Sequence, residues 1–289
     1  MVLKIVTDST SDLPPEAVAA LGITVVPLSI LFGDEELLDG VDIQSDQFFR
    51  RLAREAVSPT TTQPASGLFR AAYEKLIAGG ATEILSIHVS SKLSGTIESA
   101  RQAAVGLEGA RIEHVDSRTV SLGLGVGVME AAKAALAGAS LDEVQARAVD
   151  MFRRTHIFVT LDTLEYLRRG GRLSRGQEFI GTLLKVKPIL GLEDGEVVAL
   201  GRVRTRQRAI EDLLGRCADL RPIEHAFVMH GTTPDEAQYV RDRLAAIDDH
   251  ATITMGRVTP VIGVHAGPGV LAVGVVTAPD DHSPAFLRT

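Results

Sequence analysis

Short apolar runs that end in hydroxyl-rich loops and continue into helices recur in the first half of the chain. Residues 84–89 are rich in β-branched side chains and predict a buried strand, after which a helix begins at Thr96. Residues 4–6 lead in the same way into a loop at 7–12 and a helix start marked by proline. Strands that alternate with helices pair in parallel and are covered on both faces. The sequence therefore predicts an N-terminal three-layer α/β/α domain with a mainly parallel sheet.

A different pattern begins near residue 155. Strand-like segments there include a hairpin with its turn at Asp194-Gly195, which is typical of antiparallel pairing. A chain of 289 residues also exceeds the usual size of a single-domain core. We therefore expect two α/β domains, residues 1–154 and 155–289, of which the second has a mixed or antiparallel sheet.

Three further segments carry local predictions. Residues 23–31 predict one continuous second strand, and residues 58–66 predict a loop that is held by its prolines. The apolar run 258–276 contains four glycines, two prolines and His265. Such interruptions do not suit a membrane span, so this run predicts two buried strands around a Gly-Pro-Gly turn.

The composition limits the class of function. A net charge of −7 gives no footprint for binding nucleic acid. The single cysteine, Cys217, excludes an intramolecular disulfide and a cysteine-based metal cluster, and it suits a reducing compartment. Residues 1–8 lack the long apolar region of a signal peptide. We therefore expect a cytoplasmic protein that binds no metal or nucleic acid and does not span a membrane.

Hydroxyl-bearing loops supply the candidate binding residues. The loop at 90–96 precedes a helix, whose free N–H groups and positive dipole end favour a carboxylate or a phosphate. Residues 60–62 are three consecutive threonines, and His265 is a candidate donor to an anionic head group. Each feature has a simpler explanation. Ser94 or Thr96 would then only cap the helix, the threonines would form a rigid linker, and His265 would be a loop histidine without a ligand.

An enzyme is the main alternative class. A serine-dependent esterase or phosphatase would use Ser94 and His265, but Lys92-Leu93-Ser94-Gly95 lacks the first glycine of the G-x-S-x-G elbow. The sequence also contains no Walker motif and no H-E-x-x-H motif, so neither ATP-driven nor zinc-driven chemistry is indicated. A regulatory ligand sensor is a third alternative, although no DNA-reading module is visible.

Five motifs, spread in order over the whole chain, resemble the DegV family of bacterial fatty-acid-binding proteins. They lie at residues 7–14, 59–65, 90–96, 166–173 and 264–269. The resemblance implies a carrier without catalysis or cofactor, which holds a long-chain fatty acid between its two α/β domains. It further implies that a separate fatty acid kinase phosphorylates the bound carboxyl group, and that the acyl phosphate enters phospholipid synthesis.

The resemblance also assigns residues of the head-group site. Thr61, Ser94 and His265 match the family's carboxylate-binding positions, and Arg172 falls in its glycine-arginine motif near the head group. Thr62 is a fifth ligand-binding candidate, although the family more often has a serine at this position.

Arginines after residue 200 are the candidate partner-docking residues. Arg202 resembles the family's kinase-docking or phosphate-facing arginine, and we expect Arg204 to take part in docking beside it. Arginine occurs at every second position from 202 to 208, so in a strand the four side chains would share one face. A solvated, charged edge strand is the alternative explanation.

Overall fold

The computed structural model describes residues 2–173 and 186–279, and three sheets organise them. Up to residue 153 the elements are β1 (Leu3–Asp8), a 3-10 turn (Ser9–Ser11), α1 (Pro15–Leu21), β2 (Thr24–Val26), β3 (Ser29–Phe32), β4 (Glu35–Leu38), α2 (Ser45–Arg54), β5 (Thr60–Thr62), α3 (Ser66–Ala78), β6 (Glu83–His88), α4 (Thr96–Ala104), β7 (Arg111–Asp116), α5 (Leu122–Leu136) and α6 (Leu141–Arg153). The later elements are β8 (Thr155–Thr160), α7 (Glu165–Arg169), β9 (Lys187–Glu193), β10 (Glu196–Val203), α8 (Arg206–Ala218), β11 (Ile223–His230), α9 (Pro234–Ile247), β12 (Thr252–Arg257), α10 (Pro260–Ala266) and β13 (Leu271–Thr277).

The first sheet is parallel, with strand order β2-β1-β6-β7. Successive residues of a strand point to opposite faces, and both faces of β1 are covered. Ile5 packs in a cluster with α5 and α6, whereas Val6 packs on the other side with Phe69 and Tyr73 of α3. The predicted three-layer α/β/α arrangement is confirmed.

The second sheet is mixed and has the strand order β10-β9-β8-β13-β11-β12. Only β11 and β12 pair in parallel, and the other neighbours are antiparallel. Helices α8 and α9 cover one face, where Cys217 is buried and burial raises the pKa of its thiol to about 12. The prediction of a mixed sheet is confirmed. The division of the chain into domains at residue 154 stays a prediction, although this sheet begins with β8 at Thr155.

The third sheet, β4-β3-β5, was not predicted and corrects two expectations. Residues 23–31 form two strands in different sheets rather than one continuous strand. Pro27 has no N–H to donate, and pairing with β1 ends at Val26. The threonines at 60–62 form the strand β5 rather than a loop, because β-branched residues suit a strand and Ile30 lies opposite Thr61.

The prediction for residues 258–276 was half wrong. The first part forms α10, which begins with Pro260 after the N-cap residue Thr259, and only the second part is a strand, β13. Proline is well suited to the first position of a helix. Gly263 lies inside α10, where a Cβ atom would come 2.6 Å from Cε1 of Phe48. This glycine permits close packing of α10 on α2 and does not mark a turn.

The four arginines at 202–208 do not share one strand face, so that expectation was also wrong. Strand β10 ends at Val203, and the Thr205 side chain accepts a hydrogen bond from the Arg208 N–H at the start of α8. A threonine in this position is a helix N-cap, which ends the extended conformation. Arg202 and Arg204 are exposed near the end of the strand.

Candidate functional site

An apolar cavity of about 410 Å³ lies between the N-terminal half of the chain and the inner face of the six-stranded sheet. This volume falls within the range of about 300–1,000 Å³ that is usual for small-molecule sites. Most of its lining is aliphatic and is drawn from many elements: Leu28, Val89, Leu93, Val120, Ile157, Val159, Leu161, Leu167, Leu190, Leu192, Val197, Val258, Val261, Ile262, Val270 and Ala272. The cavity therefore suits a largely hydrocarbon ligand.

The polar part of the lining contains all five residues that the sequence assigned to ligand binding. Thr61, Thr62, Ser94, Arg172 and His265 all line this cavity. Oγ1 of Thr61 and Nε2 of His265 lie 2.8 Å apart, within hydrogen-bonding distance, although 204 residues separate them in sequence. Strand β5 and helix α10 thus bring together a hydroxyl and an imidazole at one wall of an apolar cavity.

His265 is held in its neutral form. Burial, together with the nearby positive charge of Arg172, lowers the pKa of its imidazole to about 4. A neutral imidazole has one N–H donor and one acceptor nitrogen. In the described part of the chain Nδ1 has no hydrogen-bond partner. If Nε2 carries the proton it donates to Thr61, whose own hydroxyl hydrogen is then free to donate to an anion.

The glycine pair after α7 brings backbone directly against His265. A Cβ atom on Gly170 would overlap Nδ1 of His265, so only glycine fits there. Gly171 has a positive φ of 68°, which turns the chain sharply before Arg172. Arg172 then donates from Nε to the Leu93 carbonyl at 3.0 Å and from Nη1 to the Gly170 carbonyl at 2.5 Å. One guanidinium therefore joins the loop at 90–96 to the backbone beside His265.

Ser94 does not cap a helix, so the simpler explanation for this residue was wrong. The N-cap residue of α4 is Gly95, and it makes no side-chain cap. The hydroxyl groups of Ser94 and Thr96 instead lie 2.8 Å apart, within hydrogen-bonding distance. Ser94 also lines the cavity, so its hydroxyl group is a candidate contact for a ligand.

Three further polar residues line the cavity: Thr10, Gln63 and Ser121. Thr10 and Gln63 lie in the motifs at residues 7–14 and 59–65 but were not assigned to ligand binding, and Ser121 was missed. Nε2 of Gln63 donates to Ser99 at 3.0 Å, and its side chain fills the space that a Cβ of Gly95 would need. The one available signal was Gly95 itself, since a glycine at a helix start often marks the close approach of another group.

Serine chemistry finds no support in the geometry. No hydrogen bond joins Ser94 to His265 within the described residues, because each is bonded to a threonine. A serine–histidine–aspartate series does occur elsewhere, with Ser86 2.7 Å from His88 Nε2 and His88 Nδ1 3.0 Å from Asp8. All three side chains are 0% exposed, so no substrate can reach them.

A second cleft, of about 280 Å³, lies on the other side of the polar wall that contains Thr61 and His265. Thr61, Arg172 and His265 line both this cleft and the apolar cavity. The cleft also includes Arg169, whose Nη1 donates to Ser58 at 2.7 Å. The polar groups of the wall can therefore be approached from two sides.

The two predicted docking arginines lie apart from this site. Neither Arg202 nor Arg204 lines the cavity or the cleft among the described residues. In the same residues no cluster of three or more histidine, cysteine or acidic side chains is arranged to hold a metal ion. Nor does the described part of the chain contain a helix that is both long and apolar enough to cross a membrane.

The model of a family described as "Uncharacterised protein, DegV family" matches residues 2–278. The chain belongs to the DegV family. Curated relatives within the family include DegV domain-containing proteins of Halalkalibacterium halodurans, 37% identical over 274 residues that cover 94% of this chain and 97% of the relative, and of Deinococcus radiodurans, 38% identical over 289 residues that cover 96% and 99%.

Solved DegV structures have the same fold. A DegV-family protein from Thermus thermophilus, described by its fatty acid binding, has 34% identity and a TM-score of 0.88, and the match covers 96% of this chain and 99% of that one. DegV of Bacillus subtilis, described as a fatty acid binding protein, has 32% identity and a TM-score of 0.87 with the same coverage.

Proposed function

We propose that this DegV-family chain is a carrier that binds one long-chain fatty acid in the apolar cavity, between its two domains. The observation that carries the proposal is the combination of an aliphatic cavity with a polar wall, at which Thr61 and His265 are in hydrogen-bonding distance. The fatty acid binding of the relatives from Thermus thermophilus and Bacillus subtilis supports it.

The hydrocarbon tail would supply most of the affinity. A chain of about 15 methylenes, at ~0.8 kcal/mol for each, gains roughly 12 kcal/mol on burial, and association costs at least ~4 kcal/mol of this. Most of the cavity lining is aliphatic, so few polar groups would lose contact with water when the tail is buried.

The head group would be oriented by hydrogen bonds from neutral groups. An ionised carboxylate in a dry site is costly unless several donors meet it, and each charge-assisted hydrogen bond contributes about 1.5–3 kcal/mol. The hydroxyls of Thr61 and Ser94 supply two donors, and Thr62 is a third candidate. Arg172 adds a positive charge at the same wall without an acidic partner in the described residues.

The bound carboxyl group would be presented to a separate fatty acid kinase, and the acyl phosphate would pass to phospholipid synthesis. The family resemblance is the source of this part of the proposal. The second cleft supports it, because a phosphoryl donor could approach Thr61, Arg172 and His265 from outside while the tail stays buried. Arg202 and Arg204 would contact the kinase on the surface.

Mass spectrometry of the ligand extracted from the purified protein tests the proposal most directly. A long-chain fatty acid at close to one molecule per chain is expected. A His265→Ala variant serves as the control for the polar wall, and it should retain less acid after washing with a competing lipid. Purified protein that takes up no fatty acid, even when incubated with one, would refute the carrier function.

A further inference from the structure

The first turn of α10 is fastened to the N-terminal half of the chain by a buried carboxyl group. The backbone N–H of Thr259 donates to Oδ1 of Asp12 at 2.8 Å, and the hydroxyl of Ser121 donates to Oδ2. Thr259 is the N-cap residue of α10 and Ser121 is that of α5. One carboxyl group, only 5% exposed, therefore joins the starts of two helices.

A second buried carboxyl group, that of Asp39, faces the same helix start. Asp39 is 2% exposed, and neither of its oxygens makes a well-formed hydrogen bond within the described residues. Burial raises the pKa of Asp39 to about 7, and polar groups of Ser9, Val261 and Thr259 partly oppose this rise. Burial likewise raises the pKa of Asp12 to about 6, against the hydrogen bonds from Ser121 and Thr259.

Helix α10 transmits this attachment to the candidate head-group site. Six residues separate Thr259 from His265, a distance of about 9 Å along a helix axis. Between these two residues, Gly263 packs tightly on Phe48, and this contact restricts movement of the helix. A shift of the start of α10 would therefore move His265 as well. Asp12 itself does not line the cavity in the described structure.

We propose that Asp12 is a positioning residue of the carboxylate site: its carboxyl group fixes the start of α10 and, through this helix, the place of the His265 imidazole beside Thr61. The inference rests on the proposed function, because it assumes that His265 helps to orient a ligand carboxylate. Asp12 does not line the cavity, so its effect on the head group would be indirect, through α10.

The test compares the affinities for palmitic acid and for hexadecan-1-ol, which share a tail and differ in the head group. Asp12→Ala should lower the acid-to-alcohol ratio of affinities by about tenfold, the scale of one charge-assisted hydrogen bond. Asp12→Asn keeps an oxygen that accepts from the Thr259 N–H, so it should restore most of the ratio. Asp46→Ala is the matched control, because it removes an exposed ion pair with Arg257 just before α10.

A second pair of variants leaves Asp12 in place. Thr259 has φ −68° and ψ 161°, which proline can adopt, so Thr259→Pro removes the N–H donor without requiring a change of φ or ψ at this residue. Thr259→Ala removes the hydroxyl but keeps this donor. The ratio of affinities should fall in the proline variant and not in the alanine variant.

Two results would overturn the inference. The first is an equal loss of affinity for both ligands in Asp12→Ala, which would show a general structural role. The second is a fall in the ratio that persists unchanged when Asp12→Ala is combined with His265→Ala. If the wild-type protein itself bound the acid no more tightly than the alcohol, both the head-group part of the proposed function and this inference would fail. A preference that depends on His265 but not on Asp12 would refute this inference alone.

Discussion

Gly170 has no side chain, and the imidazole of His265 occupies the space where one would lie. The absence of a Cβ at Gly170 is therefore needed for the observed position of the His265 ring. It lets the ring sit between the Gly170 backbone and Thr61, where its orientation is restricted by contact on one side and a hydrogen bond on the other.

Gly170→Ala should displace the His265 ring from Thr61. We expect affinity for a long-chain fatty acid to fall by about tenfold, since about one charge-assisted hydrogen bond is lost, while affinity for the alcohol of equal length stays nearly constant. Titration calorimetry with both ligands measures this. Gly215→Ala is the control, because this α8 glycine has open space around it and alanine is favoured in a helix by up to about 1 kcal/mol. An unchanged affinity for the acid in Gly170→Ala would contradict the tight fit.

Arg202 at the end of β10 and Arg204 in the connection to α8 lie on the surface, away from the cavity. An element in this position can influence a partner protein without touching the ligand. The change in direction at Thr205 also means that Arg206 and Arg208 belong to a different surface, where Arg206 pairs with Glu236 of α9.

Arg202→Glu should leave fatty acid binding unchanged and lower the rate at which a fatty acid kinase phosphorylates the bound carboxyl group. The salt dependence of this rate should also become shallower, because one favourable long-range attraction is removed. Arg241→Glu makes the same change of charge on the exposed face of α9 and serves as the control. Loss of fatty acid binding in Arg202→Glu would instead place this arginine in the ligand site.

Elements with local signals were predicted well, and elements fixed by distant contacts were not. Helix α4 begins at Thr96 as predicted, after the hydroxyl-rich loop that follows β6. Helix α10 was missed because the glycines and prolines of residues 258–276 were interpreted as interruptions between two strands, whereas Gly263 lies inside the helix and approaches Phe48 of α2. A glycine alone does not show whether it serves a turn or a close contact.

The residues of the candidate site likewise divide into those that have a local sequence signal and those that are placed by distant contacts. The motifs singled out Thr61, Ser94 and His265, and the structure brings all three to one cavity. Asp12 lies in a predicted motif too, but its contact with Thr259 spans 247 residues and leaves no trace in local sequence. Residues that act through such long-range contacts require the fold to be known.

At the scale of the whole molecule, buried titratable groups make opposing contributions to stability. Unfolded aspartate loses its proton near pH 3.9, whereas burial keeps the pKa of Asp39 at about 7. Between these values the folded state binds more protons, so this group makes the free energy of unfolding fall as the pH rises. Burial lowers the pKa of His114 and His265 to about 4, so these two groups make it rise over about pH 4 to 6.5.

Asp39→Asn should therefore become more stable relative to the wild type as the pH increases from about 4 to 7, with no further gain above that range. Urea unfolding across this range measures the difference. Asp34→Asn controls for the loss of an exposed carboxyl group in the turn between β3 and β4. A stability difference that does not vary with pH would mean that Asp39 is ionised in the folded protein throughout.

The position of β13 has a consequence for the order of folding. This strand follows β8, β11 and β12 in sequence, yet it is inserted between β8 and β11 in the sheet. During synthesis, more than 40 residues must be added after β8 or β11 before β13 is available to pair with either strand. Sheets built from such distant pairings form slowly. The residues on the N-terminal side of the cavity are therefore all synthesised before β13, the strand that joins β8 to β11 on the other side.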